Sequence, residues 1–316
     1  MKKFNEKFGI SFSKYFFPVL FKVFTFFKIN RRAINYFSDK GFFSNNNHNF
    51  KDLIKSLLGE EKIITLDVGA QGGFNSDHSI PDKYNYLFEA VLVEPIVEEA
   101  EKLKKKNKYV ITNALWSSQG KKKIYILGNR LGSSSMYEPN PKFFDLHNIK
   151  KKNYQNFDIT NKIEVQCDTL KNSLINLNIN KLDYLKIDTQ GAELEILKGI
   201  GNYRPLLIKI EVHIHSMYKD VPDWNEILNY MYKLNYTVID WKGIGSHVTR
   251  VPAEMDMLFV PNFKNDSGKK IITENEEKFT ALMLIFGQIS LLKVISKKNN
   301  FKSIDQIKDL SDFFFN

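Results

Sequence analysis

The sequence predicts an α/β fold built on a seven-stranded, mostly parallel sheet with an antiparallel edge strand, plus N- and C-terminal helical extensions. Three observations predict it. Short apolar runs of strand length alternate with helical patterns between residues 63 and 260, which implies parallel strands covered on both faces. The first of these runs delivers a carboxylate into a glycine turn. The last two are joined by a stretch carrying Gly243, Gly245 and Pro252, which reads as loop and leaves no room for a crossover helix, so those strands pair antiparallel.

The first element is a basic segment, residues 1–48. Residues 1–55 carry 11 Lys and Arg against 3 Asp and Glu, so much of the chain's net charge of +10 sits here. The apolar run 15–29 contains Pro18 and Lys22 and lacks a small-residue cleavage site; it is a poor signal peptide and too short to span a bilayer. At 100° per residue, Lys3, Lys7, Lys14, Lys28 and Arg32 fall opposite Phe12, Phe16, Leu20, Val23 and Phe27. Such a helix suits an anionic membrane surface, and equally packing of its Phe face on the core or on a second subunit. Residues 39–49, with Gly41 and three consecutive asparagines, mark the boundary to the next domain.

The central domain is expected over residues 49–262, with strands at 63–68, 87–93, 109–113, 184–187, 206–212, 236–240 and 257–260. Helical patterns occupy 97–106, 193–198 and 224–234. Residues 121–127 and 163–167 read as a strand pair inserted before the fourth core strand, linked by a long glycine- and serine-bearing loop with the character of a lid. A C-terminal helical extension, residues 263–316, centres on one apolar helix over 279–295.

Composition narrows the class. Of the 316 residues, 43% are hydrophobic, enough for a packed interior. The lone cysteine, Cys167, excludes an internal disulfide framework, and no Cys/His spacing forms a zinc motif; a cytoplasmic protein follows.

The chemistry-bearing stretch begins at residues 63–73, IITLDVGAQGG. Asp67 precedes Gly69, Ala70, Gly72 and Gly73, where glycine lets backbone approach a ligand and a following helix would offer free N–H groups. A carboxylate there suits a ligand carrying an ammonium group and repels a pyrophosphate. Glu94, before Pro95 at the end of the second strand, is placed to accept hydrogen bonds from both ribose hydroxyls of an adenosine. Its spacing fits NAD and S-adenosylmethionine alike, but the glycines do not form the G-x-G-x-x-G register of a dinucleotide site. Asn113 and Ala114, followed by Leu115 and Trp116, offer polar groups and an apolar wall to an adenine ring.

Residues 183–199 read DYLKIDTQGAELEILKG, which resembles the K-I-D-x-E-G-A-E-x-x-x-L-K-G stretch of the FkbM family of methyltransferases. The resemblance runs from residue 63 to residue 260 and takes in the glycine turn, Glu94-Pro95, Asn113-Ala114 and Glu211-Val212-His213. It implies a Rossmann-like class I methyltransferase fold, S-adenosylmethionine as cofactor, and O-methylation of sugars or natural products. Two positions depart from the family pattern: Gln190 replaces a glutamate, and Lys171 stands where an acid commonly follows Leu170.

Methyl transfer to a hydroxyl requires an oriented acceptor, exclusion of water and a general base. In an open parallel sheet these groups gather outside the strand carboxyl ends. His213 is the first base candidate and Asp188 the second; Glu193, Glu211, His215 and Trp241 are candidate acceptor contacts, with Tyr218 and Trp224 as further aromatic walls. Alternation would place Glu211, His213 and His215 on one side of an extended strand. Those ligands are unlike a dedicated metal motif, so no metal is expected. The tetrapeptide typical of amino-methylating nucleic-acid enzymes is missing, as is a Pro-Cys nucleophile, which disfavours a nucleic-acid substrate despite the basic charge. The expected partners are a small-molecule or glycan acceptor, an anionic membrane touched peripherally, and a second copy of the chain. An NAD-type oxidoreductase and a non-catalytic membrane or assembly module are the competing readings.

Overall fold

The structure is a computed structural model and describes residues 50–147, 149–244 and 252–301. The chain divides into two units, residues 1–54 and 55–316. The description below concerns the second unit; the basic segment expected over residues 1–48 lies outside the described residues.

Helix α1 (Lys51–Leu58) precedes β1 (Ile63–Val68), whose continuous apolar run is the signature of a strand buried on both faces. Next come β2 (Phe88–Val93), α2 (Val97–Lys104) and β3 (Tyr109–Ile111). The inserted strands β4 (Ala114–Leu115), β5 (Gly120–Leu127) and β6 (Ile159–Asp168) form their own three-stranded sheet, β4-β6-β5. Helix α3 (Leu170–Asn176), β7 (Tyr184–Ile187), α4 (Glu193–Lys198), β8 (Leu207–His213), α5 (Trp224–Lys233), β9 (Tyr236–Ile244) and β10 (Glu254–Pro261) complete the main sheet and its covering. Three helices follow: α6 (Asp266–Thr273), α7 (Glu276–Ile285) and α8 (Ile289–Asn299).

The seven-stranded sheet has the order β3-β2-β1-β7-β8-β10-β9. Strands β1, β2, β3, β7 and β8 are parallel, and β10 pairs antiparallel with both β8 and β9. The last two strands therefore pair antiparallel at the edge, as the short connection requires, with β10 taking the inner place. This is the Rossmann-like, class I methyltransferase arrangement.

The core sits on both faces of β1, β7 and β8. Leu66, Leu185, Ile187, Ile208 and Ile210 are fully buried there, against Leu170 and Leu174 of α3, Ile196 and Leu197 of α4, and Ile227 and Met231 of α5. Each such aliphatic side chain contributes about 1.5–3 kcal/mol by leaving water. Local signals fix the ends: Thr169 caps α3 by accepting from the Asn172 N–H (3.1 Å), and Asp223 with Glu226 forms a reciprocal capping box on α5.

Several expectations are corrected. No α-helix follows the glycine turn; β1 connects to β2 through turns and a 3-10 helix, Asp82–Leu87. The single helix expected over 279–295 is two, because Gly287 takes a φ of 71° that ends α7. The third strand stops at Ile111, and Ala114 already belongs to the small sheet. The long insertion is organised by three 3-10 helices, Leu131–Ser133, Pro141–His147 and Lys151–Phe157. Strands β9 and β10 extend into the segment read as loop. Among the described residues no helix is long and apolar enough to cross a membrane.

Candidate active site

The carboxyl ends of β1, β2 and β7 meet at Gly69. Its φ is 84°, and a Cβ added there would lie 1.9 Å from the backbone oxygen of Asp188. Only glycine lets the turn after β1 pass this close to the end of β7. The Gly69 and Ala70 N–H groups both donate to the Val93 carbonyl (3.2 Å), which fastens the turn to β2. Ala70 is buried and packs with Leu92 and Leu103.

Beside this junction lies a cavity. It is lined by Gly69, Gln71 and Glu94, by the apolar Ala114, Leu115, Ile124 and Met136, and by Asp188 and Gln190. Glu94 is 4% exposed, and burial pushes its carboxyl up to about 7. It accepts the Ile96 N–H (2.8 Å) on one oxygen; among the described residues the other accepts no hydrogen bond.

Beneath the cavity, two lysines hold the acids of the sheet. Lys186 and Lys209 are register partners on β7 and β8. Lys186 Nζ lies 3.1 Å from Asp67 and 3.8 Å from Asp188; Lys209 Nζ lies 2.7 Å from Asp77 and 3.0 Å from Asp256. Asp67 is 1% exposed, so burial raises its carboxyl while Lys186 pulls the other way. The role expected of Asp67, pairing with a ligand's ammonium, is thus filled by a lysine of the chain, and Asp67 does not line the cavity.

The turn after β7 is built from its own sequence. Gln190 sits at a φ of 59°. Its side-chain amide donates to Glu211 Oε1 (2.8 Å) and Asp188 Oδ1 (3.4 Å), and its Oε1 lies 3.0 Å from the Tyr218 hydroxyl. Glu193 Oε1 accepts from the Thr189 N–H (3.0 Å), the Thr189 hydroxyl (2.9 Å) and the Gly191 N–H (3.0 Å). Glu193 is therefore a buried brace of the turn, not a surface of the cavity, because its oxygen satisfies the orphan amides ahead of α4.

Glu211 and His213 share one side of β8, as alternation requires, but neither lines the cavity. His213 is 3% exposed and stands edge-on to Tyr218 (ring centroids 5.8 Å), with Nδ1 3.5 Å from Glu254 Oε1. Burial acts to lower the His213 pKa; the carboxylates of Glu254, Glu193 and Asp188 together outweigh it and carry it up. Glu211 is pushed up by burial first and then by the Asp188 and Glu254 carboxylates, so it holds its proton into the neutral range.

Of the residues singled out in the sequence, Gly69, Glu94, Ala114, Leu115, Asp188 and Gln190 line the cavity. Gly73, with a φ of 104°, shapes the turn from outside it, and Asn113 is exposed beyond it. His215 falls past the end of β8, where its N–H bonds the Ala253 carbonyl and its own carbonyl meets His147 Nε2 (2.6 Å); strand alternation no longer governs it. Trp241 is 64% exposed on the edge strand β9 and is no part of the site. Lys171 packs against Gly201 and lines a different cavity, so its departure from the family pattern does not touch this one. Sequence reading missed Ile124, Ser135 and Met136, whose only signal was the loop composition that suggested a lid.

The model of the Methyltransferase FkbM domain matches residues 67–238. No curated protein matches the chain. Among solved structures, magnesium protoporphyrin IX methyltransferase from Synechocystis PCC 6803 with bound SAM is similar at 10% identity and a TM-score of 0.31, over 74% of this chain and 98% of that one.

Proposed function

The chain belongs to the FkbM methyltransferase family and is an S-adenosylmethionine-dependent methyltransferase; from that premise we propose that it methylates a hydroxyl of a sugar, glycan or glycolipid precursor. The observation that carries the proposal is the cavity itself, which is lined by both a buried, half-committed carboxylate, Glu94, and a more accessible one, Asp188.

The residues fit the cofactor. Glycine at 69 leaves bare backbone where a Cβ would collide, and the oxygen of Glu94 without a partner suits a pair of ribose hydroxyls. Ala114, Leu115, Ile124 and Met136 offer the apolar wall an adenine needs. When bound, S-adenosylmethionine supplies an electrophilic methyl group on its sulfonium.

The chain's own part is orientation and proton removal. Asp188 lines the cavity while His213 is buried and does not, so Asp188 replaces His213 as the general base of the proposal. It takes the proton of the acceptor hydroxyl onto a carboxylate oxygen as the oxygen–methyl bond forms. Gln190 stands beside it and holds Asp188 and Glu211 in place with its amide, where a glutamate would set a further negative charge next to Asp188. Glu193 holds this turn in place from below.

Labelled S-adenosylmethionine, incubated with the protein and glycan or glycolipid fractions, tests the proposal. Label on a glycan hydroxyl supports it; label confined to RNA or protein overturns it. The proposal extends to a cytoplasmic enzyme whose basic segment, residues 1–48, lies against anionic lipid. Liposome sedimentation of the full chain against a chain starting near Gly41 checks this, and equal, negligible pelleting refutes it.

A further inference from the structure

Behind the turn that carries Gln190, a second group of side chains has a composition the methyl-transfer chemistry does not use. Glu211 and His213 come from the end of β8, and Glu254 from the start of β10, where it is the register partner of His213. One ligand-type atom from each of the three lies within 4.8 Å of the others. Three ligands at about 2.1 Å from a tetrahedral ion stand about 3.4 Å apart, so side-chain movements that close the widest pair by about 1.4 Å bring the set around one centre.

Burial makes the group unusual. His213 is 3% exposed, yet among the described residues neither ring nitrogen has a hydrogen bond, and Glu254 Oε1 has none either. His213 Nδ1 and Glu254 Oε1 face each other at 3.5 Å without a hydrogen bond and Nε2 has no partner, so a group that satisfies all three together would remove the cost of burying them. His147 adds a further observation. Its Nε2 meets the His215 carbonyl at 2.6 Å, which fixes the proton there and turns the Nδ1 lone pair toward Glu254 Oε1, 3.8 Å away. An imidazole that donates one N–H to a backbone carbonyl and presents the other nitrogen to a carboxylate has the arrangement that orients metal-binding histidines.

The charge around the group points the same way. Lys186 and Lys209 are already taken up by Asp67, Asp77, Asp188 and Asp256. Glu193 Oε2, also buried, has no hydrogen bond among the described residues. The nearest arginine acting on Glu254, Arg130, stacks its guanidinium on Phe157.

We infer that Glu211, His213 and Glu254, with His147 beside them, bind a divalent first-row cation such as Zn²⁺ or Mn²⁺. Two carboxylates and an imidazole neutralise such an ion and match its ligand preference. The inference goes beyond the methyl-transfer reading and does not depend on it.

The test uses the full-length protein, stripped with chelator and titrated separately with Zn²⁺ and Mn²⁺ by calorimetry, with S-adenosylhomocysteine binding measured in parallel as a check on folding. The expected result is one ion per chain, a rise in Tm on loading, and at least tenfold weaker binding in Glu254→Gln and His213→Gln. Bound Mn²⁺ should show nitrogen coupling in its electron-spin-echo spectrum, lost in His213→Gln. Should His213→Gln fail to fold, Glu254→Gln and the wild-type nitrogen signal decide. Absence of stoichiometric binding by the wild type overturns the inference, as does unchanged affinity in Glu254→Gln or an ion without nitrogen coupling.

Discussion

Replacing Lys186 by methionine should destabilise the protein by about 4 kcal/mol at pH 7, with a cost that shrinks as the pH falls. The change removes the cation 3.1 Å from Asp67, a carboxylate only 1% exposed, whose other contact is the Asn75 N–H at 3.3 Å. Breaking a buried pair by deleting one partner costs about 3–5 kcal/mol. Protonation gives the sign: burial already raises the Asp67 carboxyl against the pull of Lys186, and without that cation it rises further, each added unit costing about 1.4 kcal/mol. In the variant the folded state keeps the proton to a higher pH than the wild type does, so the penalty grows as pH rises and is smaller at pH 5 than at pH 7. Asp67→Asn in the same chain removes the stranded carboxyl, and Asp67→Asn/Lys186→Met should recover at least half of the loss. Urea denaturation of the wild type, both single variants and the double variant at pH 5, 6, 7 and 8 gives the cycle. A loss below about 1 kcal/mol at pH 7, a penalty flat with pH, or a double variant no more stable than Lys186→Met would refute the reasoning.

Gly69→Ala should lower stability by about 1–3 kcal/mol from its φ of 84° alone, with more from the clash at Asp188, and should abolish S-adenosylhomocysteine binding measured by calorimetry; wild-type affinity would contradict the close approach. Glu94, held at about 7, should make S-adenosylhomocysteine bind more tightly as pH rises from 6 to 8, and Glu94→Gln should flatten that profile. Without ligand the sign reverses for stability: a carboxyl raised on folding stabilises below its unfolded value and loses that contribution between pH 4.5 and about 7, a swing of at most about 3 kcal/mol that Glu94→Gln removes. Trp241→Ala should leave methyl transfer unchanged and stability within about 0.5 kcal/mol, because the ring is largely in water on the edge strand; a tenfold activity loss would return Trp241 to the site.

How much of this was legible in the sequence depended on the range of the interactions. Strands β1 and β7 were read to the residue, because a strand buried on both faces writes its burial as an unbroken apolar run. Glu94 and Gly69 line the cavity, a placement that follows from where a strand ends. Asp67 was found but misassigned: its partner, Lys186, is 119 positions away and reaches it only through the pairing of β1 with β7. His213 and Glu254 are opposed by strand register, a relation that no local spacing encodes. The second break, at Gly287, was hidden by an apolar run that fits one helix as well as two.

The placing of β10 between β8 and β9 has a consequence for how the chain assembles as it is synthesised. Strand β9 is made first, yet among the described residues its only partner in the sheet is β10, which has not emerged. Until then the open edge is β8, an apolar strand with unpaired backbone, and β9 has nowhere to dock. The sheet is therefore completed by the β9–β10 hairpin, whose second strand, β10, brings Glu254 against His213. A chain arrested before residue 254 would hold the cofactor half of the sheet with a sticky edge in place of its finished side, the form most prone to join with a second copy of itself.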